Sequence, residues 1–239
     1  PACRMAAQIR DALIRKVGPG VTTAELDAYA SAMIGRLGGR SAFYRYRGYP
    51  GYVCISVNDE VVHGIPGPRV VGLGDIVSID VGVSYDGYVG DTASTVMVGV
   101  TDPYVIRLVE TTRRALDAGI AAARAGRRVS DISHAIESTA AAEGFSVVRA
   151  FVGHGVGRSM HEDPQVPNFG APGHGAKLKA GMTLALEPML NMGGYDVEVL
   201  ADGWTVRTRD RRPSAHFEHT IAIQEDGAEV LTVAAGDAN

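Results

Sequence analysis

The chain has 239 residues, of which 46% are hydrophobic and 21% charged, so it has enough apolar material for a sizeable core. This composition excludes a disordered or fibrous protein. The net charge is -4, and we therefore predict no specific nucleic-acid partner. The only cysteines, Cys3 and Cys54, exclude a disulfide framework and a cysteine-built zinc site, so any metal must bind to His and carboxylate side chains.

The N-terminal region predicts two helices separated by a break at residues 18–20. The apolar stripe of the first helix consists of Met5, Ile9 and Leu13. The second helix is predicted to begin at a capping box formed by Thr22 and Glu25 and to end at Gly38. Its predicted buried stripe consists of Leu26, Tyr29, Met33 and Leu37.

Stretches rich in Val, Ile and Tyr then predict strands within residues 52–57 and 75–100. Helical patterns return over about residues 103–125 and restart after Ser130, up to Gly144. Further strands are predicted beyond this point, so the order of helices followed by sheet occurs twice.

A Gly-x-x-Val-Ser/Thr junction between helices occurs at residues 18–22 and again at residues 126–130. The repeat predicts two similar halves, about 1–101 and 102–239, joined without a Ser- or Pro-rich linker. We therefore expect a single catalytic domain over residues 1–239. Its fold class is α+β, with one shared sheet and helices packed on one face.

Two aspartates flank a predicted hairpin turn at Asp86-Gly87. A two-residue turn fixes the pairing so that Asp80 and Asp91 lie on the same face of the sheet as diagonal neighbours. Two ionised carboxylates side by side in a sheet are costly unless a cation or a proton neutralises them. The pair therefore indicates a metal site, with a solvated turn aspartate as the alternative.

The second half supplies two more acids next to strongly apolar stretches, Glu187 and Glu218. The internal repeat places Glu187 where Asp80 lies in the first half, so the four acids are expected to converge. His154 is flanked by glycines, which permit the close backbone approach of a ligand-bearing or catalytic loop. Four carboxylates and one imidazole suit two divalent cations.

These five side chains, in their order and local context, resemble the metal ligands of type I methionine aminopeptidases, which have the pita-bread fold. The resemblance covers nearly the whole chain and is supported by four stretches, at residues 58–66, 153–157, 161–164 and 187–189. It implies a pseudo-twofold antiparallel sheet with helices packed on one face and a dinuclear metal site at its centre.

The resemblance also implies a reaction, the removal of N-terminal Met from nascent proteins and peptides by attack of a metal-bridged water, with preference for a small second residue. One cation would be held by Asp80 and the other by His154 and Glu187. Asp91 and Glu218 would bridge both cations. Glu187 would additionally accept and shuttle the proton. Mn, Fe, Co and Zn all suit such a site, so the sequence leaves the identity of the metal open.

The resemblance further implies that His63 and His161 are catalytic and line the cleft near the scissile amide, since an imidazole titrates near working pH. The two histidines are also implied to bind substrate, together with an apolar wall of Tyr46, Tyr49, Cys54, Met160 and Trp204 and with Phe43 at its edge. Three other histidines are predicted to lie outside the site, namely His134, His174 and His219. Strand alternation turns His219 away from Glu218.

The sequence leaves three alternatives open. A prolidase or aminopeptidase P shares the metal set, although those relatives normally carry an additional N-terminal domain for which the chain has no room. A non-catalytic scaffold that binds protein or RNA is disfavoured because all five metal ligands are present. A Cys54 nucleophile is disfavoured because the sequence specifies no Cys-His arrangement.

No apolar run approaches the length of about 20 residues that is needed to cross a bilayer, so we predict no membrane segment. We expect a cytoplasmic monomer that acts on nascent polypeptides, and contact with the ribosome is left open.

Overall fold

The computed structural model describes residues 1–234. One helix pair precedes the strands of each half, α1 (Ala2–Lys16) with α2 (Thr23–Arg36) in the first and α3 (Pro103–Ala122) with α4 (Val129–Ala142) in the second. No helix among the described residues has both the length and the apolar character required to span a membrane.

The strands of the first half are β1 (Arg40–Ser41), β2 (Cys54–Val57), β3 (Glu60–Val62), β4 (Ile76–Tyr85) and β5 (Tyr88–Met97). The strands of the second half are β6 (Ser146–Val147), β7 (Gly153–Gly155), β8 (Glu162–Val166), β9 (Thr183–Leu186), β10 (Met189–Asn191), β11 (Val197–Val199), β12 (Val206–Thr208), β13 (Ser214–His216), β14 (Glu218–Ile223) and β15 (Ala228–Val230). A one-turn 3-10 helix at Tyr46–Gly48 lies between β1 and β2.

The principal sheet has the strand order β1-β4-β5-β14-β9-β7-β8, with β2 beside β4 and β15 beside β14. Its strands pair in the antiparallel sense. The halves meet where Glu218 of β14 pairs with Ala93 of β5. Because β4 flanks β5 as β9 flanks β14, the two halves have a pseudo-twofold relationship. Two three-stranded sheets, β13-β10-β6 and β11-β12-β3, complete the strands of residues 1–234.

Each helix pair packs on its own half of the principal sheet. The first cluster of buried side chains includes Ile9, Leu13, Leu26, Ile55, Val77, Ile79, Val81 and Val83. The second includes Leu108, Leu116, Ile132, Ile136, Leu184, Leu186, Ile221 and Ile223. Complete burial of such a side chain contributes about 1.5–3 kcal/mol. Since the odd-numbered residues of β4 face the helices, alternation directs Asp80 to the opposite face.

The predicted α+β fold with a shared antiparallel sheet is confirmed, but two details of the helices differ from the predictions. In α2 the buried face consists of Leu26, Ala30 and Ile34. The predicted residues Tyr29, Met33 and Leu37 are only partly buried, at the edge of the same cluster.

The start of α4 also differs, because the helix begins at Val129, before Ser130. The Asp131 carboxylate accepts from the backbone N–H of Arg128 at 2.9 Å. The Ser130 hydroxyl instead accepts from the backbone N–H of His174 at 2.6 Å and so fixes a neighbouring loop.

Candidate active site

The five side chains predicted to bind metal converge at the centre of the principal sheet, on the face away from the helices. Asp80 lies on β4, Asp91 on β5, His154 on β7 and Glu218 at the start of β14, while Glu187 directly follows β9. All five line one cavity of about 270 Å³.

The two aspartates occupy their positions because of the tight turn between β4 and β5. Asp86 and Gly87 have φ values of 50° and 76°, as a two-residue hairpin turn with a left-handed backbone requires. The resulting register pairs Asp80 with Ala93, two residues from Asp91. The predicted diagonal arrangement on one face is therefore confirmed.

His154 lies on a strand, which corrects the expectation of a loop. The flanking glycines are needed for close packing between strands. A Cβ atom at Gly153 would lie 2.4 Å from the Ala185 carbonyl oxygen, and one at Gly155 would lie 2.4 Å from that of Asp163. The expectation of close backbone approach was thus right, although the approach serves the sheet and not a turn.

The orientation of the His154 ring is set by its own strand. Its Nδ1 lies 2.8 Å from the Gly155 carbonyl oxygen, which only accepts, so Nδ1 carries the proton in the neutral ring. Nε2 then faces the acids, 3.4 Å from Glu187 Oε1 and 3.8 Å from Asp91 Oδ2. Burial lowers the pKa of His154 to about 4, so the Nε2 lone pair is free at neutral pH.

The four carboxylates share an environment that disfavours their ionised form. Burial, reinforced by the neighbouring acids, raises the pKa values of Asp80, Glu187 and Glu218 well above their ordinary range. Burial also raises the pKa of Asp91 to about 7. Within residues 1–234 these acids pair with no Lys or Arg side chain.

Several oxygens at the site have no hydrogen-bond partner, namely Asp80 Oδ1, Asp91 Oδ1 and Glu218 Oε1. Buried carboxylates without a partner are costly unless a cation neutralises them. One ligand atom each of Asp91, His154 and Glu218 lies within 4.8 Å of the others. Oxygen donors with one imidazole nitrogen are the ligands that divalent Mn, Fe, Co and Zn accept, so the residues present fit a metal.

The side chains predicted to bind substrate line the same cavity, and they are Phe43, Tyr46, Tyr49, Cys54, His63, Met160, His161 and Trp204. Tyr49 and Trp204 meet edge to face with ring centroids 5.1 Å apart. The Tyr49 hydroxyl lies 2.8 Å from the Gly64 carbonyl oxygen and 3.2 Å from that of Val53. The metal-binding candidates and an apolar wall therefore enclose one space.

The two candidate catalytic histidines contact different parts of the cavity lining. The His161 ring is 4.4 Å from the His154 ring, and its Nδ1 is 3.0 Å from the Tyr46 hydroxyl. His63 packs edge to face on Phe151 at 5.3 Å. Burial lowers the pKa of His63 to about 4, and partial burial together with the charge of Arg47 lowers the pKa of His161. Both shifts favour the neutral imidazole.

The cavity also contains two residues that the sequence did not single out, Arg47 and Phe151. Phe151 lies three residues before His154, so its proximity in sequence to a candidate ligand could have indicated that it lines the site. Arg47 lies in a tyrosine- and arginine-rich stretch that carries no such signal. His219 lies on the other face of the sheet, where its Nδ1 is 2.8 Å from Thr232 Oγ1.

Comparisons with known proteins agree with this geometry. The sequence profile of metallopeptidase family M24 matches residues 1–225. Methionine aminopeptidase 1 of Bacillus subtilis is 49% identical over 231 residues, which cover 97% of this chain and 93% of that protein. A crystal structure of methionine aminopeptidase from Thermotoga maritima, 46% identical, superposes with a TM-score of 0.96 and covers 97% of this chain and 94% of that one.

A prolidase from Pyrococcus horikoshii superposes with a TM-score of 0.78, covering 99% of this chain and 61% of that one, but at 22% identity it shares the fold alone. The expected pita-bread fold is confirmed by these superpositions. At this identity and coverage, the chain belongs to metallopeptidase family M24, as one of its methionine aminopeptidases.

Proposed function

We propose that the protein is a metal-dependent aminopeptidase that removes N-terminal Met from nascent proteins and peptides, with preference for a small second residue. The observation that carries the proposal is that the five candidate metal ligands share one cavity with an apolar wall. The name of the Bacillus subtilis relative supports the same activity.

Two divalent cations would be held by this set of residues. Asp80 would bind one cation, and His154 Nε2 with Glu187 would bind the other. Asp91 and Glu218, on the adjacent central strands β5 and β14, would contribute to holding both cations. The unpartnered oxygens and the raised carboxyl pKa values support this assignment. When bound, divalent cations lower the pKa of water towards neutrality and polarise a peptide carbonyl.

The site draws on both halves of the chain, which supports a single catalytic domain over residues 1–239. Residues 1–101 supply Asp80 and Asp91, and residues 102–239 supply the other three candidate ligands. Neither half contains a complete set, so we expect neither to be active alone.

Three side chains would handle protons and hydrogen bonds during peptide hydrolysis. Glu187 has a raised carboxyl pKa, which suits a group that accepts a proton near neutral pH and returns it to the leaving amine. His63 and His161 are neutral, and each offers an N–H group to the scissile amide or to the developing oxyanion.

The apolar wall would bind the side chain of the first residue. Tyr49, Cys54 and Trp204 form part of this wall, and burial of a Met side chain against it contributes about 1.5–3 kcal/mol. The cavity therefore favours an unbranched, flexible side chain over smaller ones.

The test is release of Met from Met-Ala-Ser and of Ala from an Ala-Pro peptide. Metal-stripped protein is assayed first, and then protein reloaded with Mn, Fe, Co or Zn, with the bound metal counted by elemental analysis. We expect Met release that requires metal, and two metal ions per chain. Cleavage of the Ala-Pro peptide alone would transfer the assignment to the proline-specific enzymes that share the fold.

We further propose that the protein acts as a cytoplasmic monomer on chains emerging from the ribosome. Sedimentation of the purified protein with and without ribosomes measures both properties. A dimer at micromolar concentration, or the same sedimentation with and without ribosomes, would contradict the corresponding part of this proposal.

A further inference from the structure

An open groove of about 650 Å³ adjoins the metal cavity. Arg47, His154 and His161 line both spaces, so these three residues form the boundary between the groove and the cavity. The remaining groove residues are Val152, Gly153, Glu162, Asp163 and Gln165. Any peptide whose first residue fills the cavity must leave through such an opening.

Arg47 is held at this junction by an unusual backbone. It lies within the one-turn helix Tyr46–Gly48 with a φ of 50°, in the left-handed region that side chains rarely adopt. Its guanidinium carbon lies 5.4 Å from the centre of the Tyr46 ring. The Tyr46 hydroxyl in turn contacts His161, which connects Arg47 to the reaction cavity. Strained residues of this kind cluster at functional sites.

The Arg47 side chain is exposed to solvent, and its contacts among the described residues leave its charge without an acidic partner. No ion pair within residues 1–234 includes its guanidinium. Glu162, at the start of β8, also lines the groove, and its carboxylate accepts from the backbone N–H of Ser159 at 2.8 Å. A planar guanidinium with free donors matches a carboxylate, which it binds through two parallel hydrogen bonds.

A peptide whose first side chain fills the apolar wall extends by about 3.3–3.6 Å with each further residue. The residues that follow the first must therefore pass Arg47, which lines both the cavity and the groove. We propose that Arg47 is a specificity-determining residue that binds a carboxylate on the third residue of the peptide. This inference rests on the proposed function, since it assumes that the cavity holds the N-terminal residue.

Two sources provide this carboxylate, an acidic side chain at position three or the terminal carboxylate of a tripeptide. The metal-loaded protein is therefore assayed with Met-Ala-Asp-amide against Met-Ala-Asn-amide, and with Met-Ala-Ser against Met-Ala-Ser-amide. The first pair reports on the side chain and the second on the terminus. Each comparison is a ratio of kcat/KM values, with kcat and KM determined separately.

Arg45 provides a matched control for R47Q. It also has a left-handed backbone, with a φ of 65°, and its guanidinium lies 5.2 Å from the Tyr44 ring. It lines neither the cavity nor the groove. R45Q therefore removes the same charge from a similar environment outside the proposed contact.

We expect the unmodified protein to prefer Asp over Asn by about fivefold, as for a solvent-exposed ion pair, with the difference in KM. The ratio of kcat/KM for the Asp peptide to that for the Asn peptide should fall to about one in R47Q and persist in R45Q. It should also fall at high salt, because exposed charges are screened. A ratio near one before substitution, a preference that survives R47Q, or its loss in R45Q would each overturn the inference. If one of these outcomes is found and Met is still released from all the peptides, the proposed function stands. If no peptide is cleaved with metal bound, both proposals fail.

Discussion

Asp80 and Asp91 lie on the same face of the β4–β5 hairpin because Asp80 pairs with Ala93, two residues from Asp91. Neither carboxylate has an Arg or Lys partner among residues 1–234, and one oxygen of each has no hydrogen bond. The hairpin thus places two acids side by side in a buried setting where both cannot ionise cheaply. A cation or a proton must stabilise this arrangement.

In the metal-free protein the contribution of Asp91 to stability should accordingly be lost as pH rises, and Asp91→Asn should remove that loss. Burial raises the folded-state pKa of Asp91 to about 7 from an ordinary value of 3.8, so its contribution is present in acid and is lost as pH rises towards 7. As pH rises through this range, we expect the free energy of unfolding of the variant to increase relative to that of the unmodified protein by up to about 1.4 kcal/mol per pH unit.

The measurement is denaturant unfolding of both proteins in EDTA at pH 5, 6 and 7.5. Subtracting the two curves removes the contributions of groups that titrate equally in both proteins. A stability difference that is independent of pH would contradict the perturbed titration of Asp91.

Much of the site was predictable because local rules determined it. The two-residue turn fixed the relation of Asp80 to Asp91, and strand alternation fixed the directions of Glu218 and His219. The capping box of Thr22 and Glu25 formed as predicted. These features depend on neighbours along the chain or on one register, which sequence patterns encode directly.

Other features depended on packing between distant segments and were missed. Arg47 reaches the cavity through two left-handed residues, a conformation that no sequence pattern here required. The α2 face turned towards Ala30 and Ile34, because contact with the sheet selects which of two overlapping apolar stripes is buried. The glycines beside His154 looked like a loop signal, but they serve close packing in the sheet.

Replacement of Glu187 by Gln should separate chemistry from folding. Loss of a metal ligand and proton acceptor is expected to lower kcat/KM by about 10²- to 10⁴-fold. The metal-free variant should be at least as stable as the unmodified protein, since one of four mutually repelling acids becomes neutral. Thermal unfolding in EDTA and a Met-release assay measure the two effects.

Glu225→Gln is the control, because this exposed acid lies in the turn between β14 and β15. Glu225→Gln should leave both Met release and thermal unfolding in EDTA unchanged. A Glu187→Gln variant with near-normal kcat/KM would exclude both roles assigned to Glu187.

His63 should make the metal-free protein less stable in acid. Its folded-state pKa is lowered to about 4 from an ordinary 6.5, so its contribution is present above pH 6.5 and is lost as pH falls towards 4. His63→Gln lacks this titration. As pH falls through this interval, its free energy of unfolding should therefore rise relative to that of the unmodified protein by up to about 1.4 kcal/mol per pH unit. Unfolding at pH 7.5, 6 and 5 measures the gain, with the exposed His134→Gln as control.

The Tyr49 hydroxyl should contribute to the stability of the pocket wall. Its removal in Tyr49→Phe withdraws the donor 2.8 Å from the Gly64 carbonyl oxygen, which is expected to cost about 1 kcal/mol of unfolding free energy. Denaturant unfolding gives the value, and Tyr104→Phe is the control because Tyr104 is 60% exposed. Equal effects of the two substitutions would show that the buried hydrogen bond is unimportant.

Gly82 should set the depth of the pocket for the first residue. A Cβ atom at this position would lie 2.6 Å from Cε1 and 2.9 Å from Cζ of Phe43, whose ring lines the cavity. The added Cβ in Gly82→Ala would also lie 3.1 Å from Ala42 Cβ, so the Phe43 ring must give way, and its movement into the cavity would make the pocket shallower. We expect the preference for N-terminal Met over the shorter norvaline to fall by about tenfold, as for the loss of one methylene of space.

The paired variant Gly82→Ala with Phe43→Leu separates pocket depth from damage to the metal site. Gly82 pairs with Asp91, so a shift of the strand would lower metal content as well as the preference for Met. A smaller residue at position 43 should restore the preference if the clash with the ring is the cause. Reduced metal binding in Gly82→Ala, without recovery in the double variant, would instead locate the effect in the strand register.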